Sequence, residues 1–462
     1  MASAKVWASV IIVILIIVGV AAYYYAAKGG GGATTTTPAT TATTPAATSS
    51  PTTTAPAATS TSTTTSAGAA TGKITYVKIG ALLPLTGDLA SFGKANKAAV
   101  LLAAHDFNEY LAKKGENWRI KVIVVDTMTD PATARARFDA LYSQGIRFFI
   151  GPMSSAELSK IVSLIHQGYK AVVISQSSTA PSLALKDTVF RFPPPDEFQG
   201  KVLSVLYQHD GVKYIIIVYR NDDWGRGLSG YVKQYFTKAG GTVYDMIPYD
   251  PKAANFDNIV EQARTDVQQL INKGVKPSEI GIELISFEEA AKILETASNY
   301  DILKKVHWYG SDGTALSQAV LQSPIAAKFA AEVVWKNTIT FSITNKTSKV
   351  FCTLKKELGY TPDPYSLIAY DAVWVMGLAI EKAGGPKASV DAVASAIPQV
   401  LKTYEGVTGK IILNQYGDRA GSDYGIFTIV KTPNGYQWKI IELYKYLENK
   451  IVEVKTNPLS CK

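Results

Sequence analysis

From Lys73 onward, short apolar runs rich in β-branched residues alternate with longer helical patterns, and this alternation limits the fold more than any other feature of the chain. VKIGALLPL, RIKVIVVDT, RFFIG, AVVISQ and TVFRF read as strands, with KANKAAVLLAAHDFNEYLAKK, PATARARFDALYSQ and SSAELSKIVSLIHQG as helices among them. Parallel neighbours need a crossover, so such an order predicts a parallel sheet covered by helices. Three prolines in FPPPDEFQG break the pattern, which then resumes with the helix KVLSVLYQHD and the strands KYIIIVYR, TVYDMIPYD, IGIELIS and VHWYGSDG. The predicted fold class is α/β: two doubly wound lobes joined by a hinge, with a ligand cleft beyond the carboxyl ends of their strands. Expected boundaries are 73–194 and 338–418 for lobe 1, 195–337 and 419–450 for lobe 2, and 451–462 for a tail.

The first 72 residues are of another kind. Residues 6–22, VWASVIIVILIIVGVAA, carry no charge and are followed by Tyr23, Tyr24 and Tyr25, the pattern of an apolar span ending in an aromatic belt. Residues 1–28 fit two readings. One is a retained anchor crossing the membrane through residues 6–27 with the body outside, favoured by Lys5 and weakened by Lys28; the other is a secretory signal cleaved among the small residues that follow. Either exports the body, and no Cys near the segment offers a lipid anchor. Residues 29–72 form a stalk in which Ala33 to Thr71 are Thr, Ser, Ala and Pro with one Gly. A segment with so little apolar surface cannot offset its ordering entropy, and it would span about 35 Å as a coil or about 120 Å in polyproline II form.

Gly225, Gly227 and Gly230 in RNDDWGRGLSG have the spacing of a dinucleotide-binding turn, and Asp245 lies near the place of a ribose-binding acid. Asp222 and Asp223 would repel a pyrophosphate there, so a turn and a close-packed helix start are expected instead. The four histidines, His105, His166, His209 and His307, are too dispersed for a local metal motif, and no H-E-x-x-H, G-x-S-x-G or C-x-x-C occurs. No metal, cofactor or catalytic residue is expected. The net charge of +9 is spread without a Lys/Arg block or interleaved aromatics, which does not suggest nucleic acid. Cys352 and Cys461 either pair as a disulfide that ties down the tail or remain separate thiols. Asn345-Lys346-Thr347 is an N-glycosylation sequon.

From about Lys73 to Leu447 the chain resembles the branched-chain amino-acid-binding family of extracytoplasmic solute receptors, the type I periplasmic binding fold that serves ABC importers. The resemblance rests on pieces in the family's order: IGALLPLTGDLASFGKANKAAVLLAAHDFN, VVDTMTDPATARARFDALYSQGIRFFIGPMSSAE, VVISQSSTAPSL, FRFPPPDEFQGK, IIIVYRNDDWGRGLSGYVKQYFTKAGG, YGSDG and PDPYSLIAYDAVWVMGLAIEKAGG. It implies that Ser154 and Ser155 divide helix capping and ligand contact between them, at a helix N-terminus whose free N–H groups suit an anion. It places Ser177 as a carbonyl contact, Thr179 as a hydroxyl and N–H contact, and Asp312 as the acid that pairs with a ligand ammonium, against a plain loop role for each. Trp224, at the turn's usual Tyr position, and Phe92 would flank the ligand or simply pack. The position after IGIELIS falls on Ser286 or Phe287.

Three functional classes follow. The first is a membrane-tethered receptor that closes on an amino acid or related solute such as an amide, urea or an aromatic acid, and delivers it to ABC permease subunits. The second is a sensory ectodomain, for which no signalling segment follows the body; the third is an exported enzyme or adhesion module. A Thr-rich stalk without a lipid-anchor Cys suits an archaeal cell surface.

Overall fold

Strands buried on both faces have no need to alternate polar with apolar residues, which is why YIIIVYR carries four consecutive aliphatic residues and IGIELI is buried throughout. In the computed structural model, which describes residues 73–461, the first sheet holds β1 (Thr75–Leu83), β2 (Trp118–Asp126), β3 (Phe148–Ile150), β4 (Val172–Ser175) and β5 (Val189–Arg191). These strands are parallel in the order β2-β1-β3-β4-β5. The second sheet holds β6 (Tyr214–Arg220), β7 (Thr242–Tyr249), β8 (Ile280–Ile285), β9 (His307–Gly310) and β10 (Lys336–Thr340), parallel in the order β7-β6-β8-β9-β10. The two orders are the same doubly wound pattern, and each has a switch point where ligands of such sheets bind, at β1/β3 and at β6/β8.

After a short ladder of β11 (Glu405–Gly406) and β12 (Gly409–Lys410), the chain adds β13 (Tyr424–Thr432), β14 (Gly435–Lys445) and β15 (Lys450–Glu453) antiparallel to the β10 edge. The helices Thr347–Leu358 and Pro364–Lys382 instead pack on the helix Ala90–Lys113 of the first lobe. The chain therefore passes between the lobes three times: after β5, after β10 and before β13. Two expected boundaries move. The division at 337/338 cuts through β10, whose Asn337 to Thr340 pair with β13, and residues 451–453 belong to β15 rather than to a tail. Both shifts arise because backbone pairing extends past the point where the apolar pattern fades.

Among the described residues no helix is long and apolar enough to cross a membrane. The expected membrane segment, residues 6–27, and the stalk, residues 29–72, lie outside the described residues. Cys352 and Cys461 are bonded, with S–S 2.08 Å across 109 positions. Asn345 is exposed, and the sequon's Thr347 is buried, its hydroxyl donating to Val407 O at 2.5 Å.

The helix Asp223–Lys238 is capped by Asp222, whose carboxylate accepts the Gly225 N–H at 2.9 Å. The N–H that a phosphate would need is thus already bonded. A Cβ on Gly225 would lie 2.0 Å from Arg220 O, and one on Gly227 would lie 2.6 Å from Pro181 Cδ, whereas one on Gly230 meets nothing within 4 Å. Gly225→Ala is accordingly expected to lower stability by about 1–3 kcal/mol through overpacking. Gly230→Ala should raise it by about 0.5–1 kcal/mol through helix propensity, with urea unfolding as the measurement.

Candidate functional site

The cavity between the lobes is assembled at the strand ends. On the first lobe, the loop after β3 leads into the helix Ser155–His166, capped by Ser154. Ser154 Oγ accepts the Glu157 N–H at 3.2 Å and donates to the Glu157 carboxylate at 2.7 Å, so its hydroxyl is committed to the cap. Ser155 Oγ lies 2.9 Å from Ser178 Oγ and accepts the Ala180 N–H at 3.1 Å, holding the loop after β4 against this helix start. In that loop Ser177 Oγ donates to Met153 O at 2.8 Å, while the buried Thr179 Oγ1 has no partner among the described residues.

On the second lobe, Trp224 in the first turn of its helix stacks on Phe287, which follows β8, with ring centroids 4.7 Å apart. The Arg220 guanidinium also lies against Phe287, 3.9 Å from its centroid, and is itself held by Asp222 and Glu289 at 2.6 Å each. The aromatic wall is thereby fixed in place. Gly313 leaves it room, since a Cβ there would meet Trp224 Cη2 at 2.6 Å. Asp312, 4% exposed, accepts the Tyr365 hydroxyl through Oδ2, and its Oδ1 has no partner among the described residues. The same holds for the buried Trp224 indole N–H.

All eight residues singled out in the sequence, Phe92, Ser154, Ser155, Ser177, Thr179, Trp224, Phe287 and Asp312, line this one cavity. Ser286 is buried behind it and does not line it. Sequence reading passes over Leu89, Met153, Gly313 and Tyr365, which also line the cavity. Met153 and Gly313 adjoin residues already marked, and the helix start Asp363-Pro364 was a signal that Tyr365 sits in a first turn. It also misses Asp196, fully buried at the start of the helix Asp196–His209, its backbone N–H donating to Thr179 O at 3.0 Å.

Burial pushes the Asp312 carboxyl up to about 6. Asp196 is pushed well above the usual carboxylate range by burial and by the neighbouring charge of Asp312. The mouth of the cavity is closed by contacts between the lobes. Ser91 Oγ donates to the Glu288 carboxylate, the Glu288 N–H donates to Asp88 O at 3.0 Å, and the Gln318 N–H donates to Ser91 Oγ at 3.3 Å.

Residues 95–432 match the family described as "Receptor family ligand binding region". The chain belongs to this receptor ligand-binding family. Among its relatives, an uncharacterized protein of Methanocaldococcus jannaschii is 35% identical over 82% of this chain and 92% of its own length. The leucine-, isoleucine-, valine-, threonine- and alanine-binding protein of Pseudomonas aeruginosa is 22% identical over 76% of this chain and 89% of its own. Of solved structures, the branched-chain amino acid transporter substrate-binding protein LivJ of Streptococcus pneumoniae, in complex with isoleucine, superposes with a TM-score of 0.65 at 19% identity, covering 82% of this chain and 100% of that one. The resemblance read from the motifs therefore holds at the level of family and fold: the receptor-family lobes are those of a type I periplasmic binding protein, and these two relatives of named function are solute-binding proteins rather than enzymes.

Proposed function

We propose that this receptor-family protein captures an α-amino acid with an apolar side chain outside the cell membrane and passes it to the permease of an ABC importer. The observation that carries the reading is a cavity in which Thr179 Oγ1, Trp224 Nε1 and Asp312 Oδ1 are buried without a hydrogen-bond partner among the described residues, beside an apolar wall. Leaving such groups unpaired costs about 1–3 kcal/mol each, so a ligand that satisfies them gains what the free protein lacks. The hydroxyl and indole N–H suit a carboxylate, Asp312 suits an ammonium, and Leu89, Phe92, Met153 and Phe287 suit an aliphatic side chain. The uncharged run at 6–22 and the stalk at 33–71 support export and tethering at an archaeal surface. The test is a thermal-shift panel of amino acids, amides, urea and aromatic acids on residues 70–462, where a ligand at a hundred times its dissociation constant stabilises by about 2.7 kcal/mol. A shift with leucine or isoleucine and none with urea or amides is expected; a response confined to the uncharged compounds would sink the amino-acid reading.

Pairing with an ammonium requires Asp312 ionised. With its carboxyl raised to about 6, affinity is expected to be flat above that pH and to fall about ten-fold per pH unit below it. The free protein should show the opposite slope. A carboxyl whose folded value exceeds its unfolded value binds its proton more tightly in the folded state, so stability declines as pH rises from about 4 through about 6. Calorimetric titration over that range is the check, and a pH-independent affinity would remove Asp312 from the head-group role.

A further inference from the structure

The C-terminal segment after β15 is drawn back over the body by the Cys352–Cys461 bond, and its Asn457 and Leu459 line a second cavity, separate from the cleft. Its walls come from both lobes: Phe351 and Leu367 lie on helices of the first, and Phe427 and Trp438 lie on β13 and β14 of the second. The lining is mostly apolar and aromatic, with Thr361, Gln437 and Asn457 as neutral polar residues and Lys355 and Lys439 as exposed ammonium groups. In the same region of the second sheet Lys336 and Lys445 pair with carboxylates at 2.7 and 2.8 Å, but Lys355 and Lys439 pair with none among the described residues.

We propose that this cavity is a second ligand site, for an amphipathic carboxylate whose hydrocarbon lies among Phe351, Phe427 and Trp438 and whose charge meets Lys355 and Lys439. Charge complementarity selects an anion, and the aromatic lining selects an apolar chain. The chain's own stalk does not suit it, having neither a negative charge nor an aliphatic side chain larger than Ala between Ala33 and Thr71. A ligand touching both lobes has different contacts when they separate, so it binds the open and closed forms unequally. One wall residue also reaches the cleft mouth: the Trp438 indole N–H donates to Ser317 O at 2.9 Å, and Ser317 Oγ donates at 3.3 Å to Glu288, the acid that Ser91 meets across the mouth. Occupation is thereby linked to closure on the cleft ligand, and this second part alone rests on the function proposed above.

The test is calorimetric binding of decanoate to the intact chain, with decanol as the uncharged control. Saturable binding of decanoate is expected, weakened about ten-fold or more in Lys355→Glu/Lys439→Glu, since both side chains are exposed and the loss is that of charge-assisted hydrogen bonds. Binding should be unchanged in Lys233→Glu, an exposed lysine that lines neither cavity. Absence of saturable binding, equal binding of decanol, or a loss in Lys233→Glu as large as in the double variant would overturn the site. Where leucine binds, decanoate should change its affinity about five-fold or more, with the reciprocal change in decanoate affinity. Independence of the two ligands would overturn the linkage while leaving the cleft assignment untouched.

Discussion

Asp312→Asn is expected to weaken binding of an aliphatic α-amino acid at neutral pH by two or more orders of magnitude. Removing one partner of a buried hydrogen-bonded charge pair costs about 2–5 kcal/mol, most of it in the rate of release. The same substitution should leave the free protein as stable or more stable, because it removes a buried carboxyl whose Oδ1 has no partner and spares an oxygen for the Tyr365 hydroxyl. The pH dependence of affinity should disappear with it. A residue of merely structural importance would give the reverse pattern, lower stability with little change in affinity. Calorimetry with paired melts separates the two, and tight leucine binding by the variant would end the assignment.

Asp418→Ala is expected to cost about 3–5 kcal/mol of folding stability. Asp418 takes both Arg191 nitrogens, Nε and Nη2, at 2.6 Å, and each side chain is 1% exposed. Arg191 ends β5, and its Nη1 donates to Ala180 O at 2.6 Å, one residue beyond Thr179. The pair therefore pins the third crossing between the lobes to the loop that supplies the cavity's free hydroxyl. Truncating Asp418 leaves a guanidinium buried without its counter-charge. Replacing both partners together, as in Arg191→Met/Asp418→Leu, should recover much of the loss, since well-packed apolar pairs substitute for buried ion pairs. Urea unfolding of the single and double variants measures this; equal instability in both would mean that packing, rather than unpaired charge, sets the cost.

The strand and helix order, the two lobes and eight of the twelve residues that line the cavity were legible in the chain. The fold follows from apolar periodicity and a Pro-rich break, and the eight residues from the motifs that carry the family resemblance. Residues with no local signal of their role were missed. Asp196 reads as an ordinary acid after three prolines, and only the approach of Thr179 in the loop after β4 and of Asp312 leaves it buried. Glu288 likewise reads as a surface acid, until the lobes meet and Ser91 reaches it across 197 positions.

Lobe membership at the edges was decided in the same way. Asn337 to Thr340 join the second sheet because β13, distant in sequence, offers an antiparallel partner. The alternation of apolar runs and helices sufficed to determine a doubly wound fold, because backbone hydrogen bonding and burial act on neighbours along the chain. Which polar groups lose water without finding a partner was settled by the tertiary structure alone, because desolvation depends on what approaches from elsewhere in the sequence.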